Sequence, residues 1–231
     1  MSALLDVRER QRVALFASET DRRRFTVAHG AKRTLLGRVC GLPPDDLGFG
    51  EGPEGRPFLS AASRPAASGA GPVDFSLSHS GSWALLGILR GGGRIGVDIE
   101  RVREDLEFRA VAGRFFQPAE ARRLRLGHPG DRAREFFRLW TRKEAFLKVH
   151  GRRLGELSGV TGTPPAVGGG PETLWFAGEP ASLATGWEVA APPGYTAAVA
   201  VTGPRAARPR VDDWPTASRA SLHEPDCEVR P

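Results

Sequence analysis

A helix followed by antiparallel strands occurs twice along this 231-residue chain, and that order constrains the fold more than any other feature. In the first half, apolar residues of Ala31-Lys32-Arg33-Thr34-Leu35-Leu36-Gly37-Arg38-Val39 recur at helical spacing and stop near Gly41. Phe75 to Ser78 alternates apolar and polar residues as a strand does, while Ser82 to Arg90, the turn Gly91-Gly92-Gly93 and Arg94 to Glu100 read as a β-hairpin. In the second half a helix from about Arg134 to His150, ended by Gly151, precedes strands at Thr173 to Phe176, Gly186 to Ala190 and Tyr195 to Val201. No residue-level repeat links the halves, so the expectation of two similar α+β lobes rests on element order alone.

Between these elements lie segments that cannot build a core. Ser60 to Pro72 and Thr163 to Pro171 are rich in Ala, Ser, Gly and Pro and read as loops. Residues 204–231 hold five arginines, five acids and hardly any aliphatic side chain, which predicts a loose, disordered tail. A chain of this length buries about 70% of its unfolded surface and needs neither disulfides nor metal to fold. Cys40 and Cys227 stand far apart, so a disulfide scaffold is disfavoured and a reducing compartment is the expectation. The opening Met1-Ser2-Ala3-Leu4-Leu5-Asp6-Val7-Arg8 becomes charged before an apolar signal core develops, and no apolar run approaches about 18 residues, which predicts a cytoplasmic chain that does not engage a membrane.

The charge is mostly arginine. Of 33 basic residues only Lys32, Lys143 and Lys148 are lysine, and the net charge of +6 with pI near 10.3 favours phosphates or an acidic partner. A nucleic-acid binder would interleave basic residues with aromatics or carry a recognisable reading helix, and neither appears, so nucleic acid is not an expected partner.

Three motifs carry chemistry. In Gly96-Val97-Asp98-Ile99-Glu100, strand alternation puts Asp98 and Glu100 on one face and Val97 and Ile99 on the other. Two carboxylates side by side repel unless a cation sits between them, and a hard, oxygen-seeking ion such as Mg²⁺ suits the place; a solvated acidic strand end beside Arg101 and Arg103 is the plainer alternative. In the run Phe136 to Lys148, spacing of i, i+4 and i+8 puts Trp140, Glu144 and Lys148 on one helical stripe. A helix-stabilising Glu–Lys pair would explain that spacing, but two of three lysines falling in one helix of an arginine-rich chain favours a use for the compact ammonium. Phe75-Ser76-Leu77-Ser78-His79-Ser80 ends a strand in a polar turn without the Gly-x-Ser-x-Gly elbow of serine hydrolases. Ser78 and His79 either cap that turn or donate hydrogen bonds to an anion. Residues 22–38 add six basic residues, Lys32 and Arg33 among them, and Gly55-Arg56-Pro57 places Arg56 on a turn. Together an acidic metal site and several phosphate donors point to a substrate carrying a pyrophosphate.

These motifs, with Phe115-Phe116 and Glu120 between them and Pro193-Gly194-Tyr195 after them, stand in the order seen in 4′-phosphopantetheinyl transferases, and the chain resembles the larger, single-chain, Sfp-type branch. The resemblance spans roughly residues 20–155. It implies a monomeric pseudodimer of two similar α+β lobes, each a helix packed on an antiparallel sheet, here expected over residues 1–96 and 97–203, with coenzyme A in the cleft between them. It also implies Mg²⁺ on Asp98, Glu100 and Glu144, Lys148 on the phosphates, and Ser78, His79, Lys32, Arg33 and Arg56 on the nucleotide end. The implied reaction passes phosphopantetheine to a serine of an apo acyl or peptidyl carrier protein of fatty acid, polyketide or nonribosomal peptide synthesis. Glu144 is the expected base, with a metal-bound water as the variant, and Arg122, Arg123 and Arg125 are expected to meet the acidic carrier. The Arg56 position commonly holds lysine in that family, and arginine can still bind phosphate. The rivals are a Mg²⁺-dependent phosphoesterase or nuclease using the same carboxylates, and a non-catalytic arginine-rich nucleic-acid-binding module.

Overall fold

The computed structural model describes residues 1–63, 71–163, 170–203 and 208–214. The chain opens with helix α1 (Val7–Ala14), started by a capping box in which Asp6 and Glu9 each accept the other's backbone N–H. Helix α2 (Glu19–Cys40) follows, capped by Ser18 and stopped by Gly41 in the left-handed region at φ 70°. It begins twelve residues before the predicted start at Ala31, because its first turns are mostly polar and carry little apolar periodicity. A small hairpin, β1 (Phe49–Glu51) with β2 (Pro57–Leu59), leads to a longer antiparallel ribbon, β3 (Val73–Ser80) with β4 (Trp83–Arg90). Leu36, Cys40, Leu47, Leu59 and Phe75 form the core of this half.

Strand β5 (Arg94–Arg101) leaves that ribbon. It pairs with the last strand, β9 (Tyr195–Thr202), in a five-stranded antiparallel sheet of order β5-β9-β8-β7-β6, completed by β8 (Glu179–Val189), β7 (Glu172–Phe176) and β6 (Val160–Gly162). The hairpin expected from Ser82 to Glu100 is therefore corrected: β4 pairs with β3, and Gly91, Gly92 and Gly93, all with φ between 86° and 100°, swing the chain into the other sheet. Between β5 and β9 run α3 (Phe108–Phe115), α4 (Pro118–Leu126) and α5 (Arg132–His150), the last stopped by Gly151 as expected. The α+β class holds, with unequal halves: two-stranded sheets in the first and a five-stranded sheet in the second. The expected lobe boundary at 96/97 falls inside β5.

The halves meet along β3 and β5, which run parallel and are joined by side chains. Asp74, Ser76, Ser78 and Ser80 accept the backbone N–H groups of Ile95, Val97, Ile99 and Arg101 at 2.7, 3.1, 3.4 and 3.1 Å. Leu85 and Leu89 of β4 cover Ile95, Val97, Trp187, Val199 and Val201 on one sheet face. On the other face α5 supplies Phe136, Phe146, Leu147 and Val149 to the largest core. The contact is close at Gly96, where a Cβ would stand 2.0 Å from the Ala145 carbonyl oxygen. The Ser60 to Pro72 and Thr163 to Pro171 loops and the tail lie partly outside the described residues. Of the tail, 208–214 forms no helix or strand, and Trp214 lies 4.9 Å beneath the Arg38 guanidinium. Among the described residues no helix is long and apolar enough to cross a membrane.

Candidate active site at the seam

Asp98, Glu100, Glu144 and Lys148 converge where β3, β5 and α5 meet. The close packing at Gly96 brings one stripe of α5 over the β5 face that carries the two acids. Asp98 is buried, and its Oδ1 accepts from Lys148 Nζ and from Ser78 Oγ, each at 2.7 Å. Lys148 Nζ also donates to Ser78 Oγ at 3.1 Å and to the Val97 carbonyl at 3.2 Å. The other carboxylate oxygen, Asp98 Oδ2, is buried without a hydrogen-bond partner. Such an orphan is costly and marks a place awaiting a cation or donor.

The electrostatics agree. Burial pushes the Asp98 carboxyl above its ordinary range against the pull of Lys148. Burial raises Glu100 too, with Ser80 holding it back and Asp98 pushing it further. Glu144 is pushed up to about 7 by burial and by the charges of Asp98 and Glu100, against Lys148. A half-buried carboxyl that titrates near neutrality among other charged groups suits proton transfer.

The three carboxylates feel one another without forming a closed cage: among the described residues no three His, Cys, Asp or Glu side chains stand in an arrangement that could hold an ion. The Lys148 ammonium occupies Asp98 Oδ1 and the Ser80 hydroxyl occupies Glu100 Oε2. The chemistry of the donor set, hard carboxylate oxygens of which one is buried without a partner, still fits a divalent cation.

Of the residues expected at the nucleotide end, the structure gathers only some. Ser78 faces the carboxylates, whereas strand alternation turns His79 to the opposite, exposed face, near enough to His29 on α2 to help lower that group's pKa after burial. Arg33 is fully buried, donating to Glu9 at 2.6 Å, to the Leu47 carbonyl at 2.9 Å and to Asp6. Lys32 is buried against Glu9 at 2.8 Å, with its ammonium 4.1 Å over the Phe49 ring. Arg56 pairs with Asp74 and donates to the Lys148 and Ile95 carbonyls, so it clamps the seam from behind. These three cations are held in internal pairs because each is surrounded by acceptors supplied elsewhere in the chain. Glu9, the hub, was missed; its signal was the Asp6-x-x-Glu9 capping box. Lys143 also turns inward, onto Glu120 at 2.7 Å and the Val160 carbonyl at 2.6 Å, so each of the three lysines has one carboxylate partner.

Beside α5, a cavity of about 270 Å³ between α3 and α4 is lined by Phe108, Ala112, Phe116 and Leu124, with Arg109 and Arg125 among its walls. Arg122 and Arg123 line a neighbouring hollow, and Arg123 pairs with Glu135 at 2.5 Å.

Comparison with known proteins bears on both halves. A family model described as 4′-phosphopantetheinyl transferase superfamily matches residues 94–200, and one described as 4′-phosphopantetheinyl transferase, N-terminal, matches residues 1–88. The chain is similar to 4′-phosphopantetheinyl transferase HetI of Nostoc sp., 35% identical over 170 residues that cover 72% of this chain and 69% of that one. It is also similar to a 4′-phosphopantetheinyl transferase of Bacillus subtilis, 29% identical over 154 residues covering 67% and 63%. A relative from Synechocystis sp., 35% identical, is matched over 58% of its length and 65% of this chain.

Proposed function

This chain belongs to the 4′-phosphopantetheinyl transferase superfamily, and from that premise we propose that it transfers the phosphopantetheine group of coenzyme A to a serine of an apo acyl or peptidyl carrier protein. The observation that carries the reading is the orphaned, buried Asp98 Oδ2 beside the Lys148 ammonium, a place that wants positive charge on one side and offers it on the other. Asp98, Glu100 and Glu144 would hold Mg²⁺. When bound, the ion neutralises diphosphate charge and polarises the phosphorus under attack.

The remaining chemistry falls to the chain's own residues. Lys148, the least buried of the three lysines at 31% side-chain exposure, swings on a flexible stem and can exchange Asp98 for a phosphate oxygen. Glu144 takes the proton of the carrier serine as the serine oxygen bonds to the β-phosphorus. The bond from that phosphorus to the bridging oxygen breaks, and adenosine 3′,5′-bisphosphate leaves. His79, exposed at the end of β3, and the basic turns of α2 flank the nucleotide end, while Lys32, Arg33 and Arg56 support it from within. The apolar cavity between α3 and α4, with Arg109 and Arg125 in its walls, suits a carrier that presents acidic and apolar side chains together.

The test is intact-protein mass spectrometry of an apo carrier incubated with this chain, coenzyme A and Mg²⁺, with an EDTA control. A Mg²⁺-dependent gain of one phosphopantetheine is expected. Release of free phosphate from simple esters with no carrier modified would overturn the reading in favour of a phosphoesterase.

A further inference from the structure

The side-chain ladder between β3 and β5 has a register that bears on the carboxylates. Each rung on β3 meets the backbone N–H that lies 21 residues later. Opposite the last two rungs, the residue 20 positions later is an acid. Ser78 Oγ donates to Asp98 Oδ1 and Ser80 Oγ donates to Glu100 Oε2, each at 2.7 Å. A serine hydroxyl has one proton to give and two lone pairs to receive. Accepting the Arg101 N–H at 3.1 Å fixes the Ser80 rotor, and its single proton is committed to Glu100. The same serine geometry two rungs before Ser80 serves no acid: Ser76 accepts the Val97 N–H, and the position facing it is Gly96, which has no side chain.

We propose that Ser80 is a positioning residue that holds the Glu100 carboxylate by Oε2 and so leaves Oε1 to the divalent cation. The proposal rests on the reading that Asp98, Glu100 and Glu144 hold that ion. Without the serine, the Glu100 side chain must be ordered by the cation itself, at the expense of affinity. The seam between the halves thus sets the ligand geometry: β3 belongs to one half and the acids to the other. Ser76 is the built-in control, a rung of equal backbone chemistry with no carboxylate to orient.

Calorimetric titration of the full chain with Mg²⁺ and with Mn²⁺, without coenzyme A, separates the two roles. Ser80→Ala is expected to weaken binding about 10-fold or more, in line with the usual effect of removing a partner that orients a ligand. Ser80→Thr, which keeps the hydroxyl, is expected to restore it. Ser76→Ala is expected to lower thermal stability while leaving both ion affinities unchanged. An unchanged affinity in Ser80→Ala, or an equal loss in Ser76→Ala, overturns the positioning role. If the unaltered protein binds neither ion, the metal reading falls first, and the proposal with it.

Discussion

Two clusters of largely buried charge, one in each half, both set carboxylates against a lysine and are solved differently. In the first, Asp6 and Glu9 face Lys32 and Arg33, and His29 joins Glu9 at 2.8 Å. Burial works against Glu9, yet the hydrogen bonds of His29, Lys32 and Arg33 and the charge of Lys32 hold its carboxyl well below the usual range. In the second, Asp98, Glu100 and Glu144 share one ammonium, all three carboxyls are raised, and an oxygen is left without a partner. The balanced cluster fastens α1 to α2 and has nothing to give a ligand. The unbalanced one stores the repulsion that a bound cation relieves. Site and scaffold are told apart here by how many cations compensate the carboxylates: Lys32, Arg33 and His29 in the first, Lys148 alone in the second.

That contrast can be broken at several points. The largest effect is expected at the unbalanced cluster: Glu144→Gln should slow carrier modification by about 10²- to 10⁴-fold, the range for losing a general base, with the circular dichroism spectrum unchanged. A near-normal rate in the mass-spectrometric assay would remove Glu144 from the reaction. At the balanced cluster the effect should be on stability, since Glu9→Ala leaves two buried cations underpaired and should cost roughly 3–5 kcal/mol in urea unfolding. If Glu9→Ala leaves stability intact, the first cluster is not scaffold.

The pH dependence sharpens the same distinction. Because the Glu144 carboxyl titrates near 7 in the folded state and lower when unfolded, the protonated form favours folding, and this contribution fades as pH rises towards 7. Mg²⁺ needs the ionised form, so it should raise the melting temperature more at pH 8 than at pH 6. Equal shifts at both pH values would mean that the ion does not meet Glu144. The smallest effect is expected at Trp214→Ala, which removes one cation–π contact to Arg38 and should cost about 0.5–1 kcal/mol by thermal unfolding.

The sequence made some of this legible and hid the rest for physical reasons. Alternation placed Asp98 with Glu100, and helical spacing placed Glu144 with Lys148, because both are local periodicities. The Ser82 to Glu100 hairpin misled because two strands joined by three glycines look alike whether they pair with each other or part. What separates them is the pairing of β5 with β9, about 100 residues later, which no local pattern announces. The family resemblance implies a place at the nucleotide end for Arg33 and Arg56, and arginine does suit phosphate. Their partners Asp6, Glu9 and Asp74 come from distant positions, so their commitment to the interior appears only once the chain is folded. Ser80 was visible as one letter of a motif, but its role depends on the 21-residue offset between β3 and β5.

The placement of the lysines also decides how the molecule meets reagents that acylate amines. Lys32 and Lys143 have 7% and 4% of their side chains exposed, Lys148 has 31%, and the other 30 basic side chains are guanidinium groups that such reagents leave alone at neutral pH. Apart from the chain's own α-amine, Lys148 is therefore the most exposed amine, and it stands beside Asp98 and Ser78 at the seam. Acetylation at alkaline pH, where the amine is free of its proton, would act as a footprint of that site, read at the Lys148 peptide and silenced by whatever occupies it.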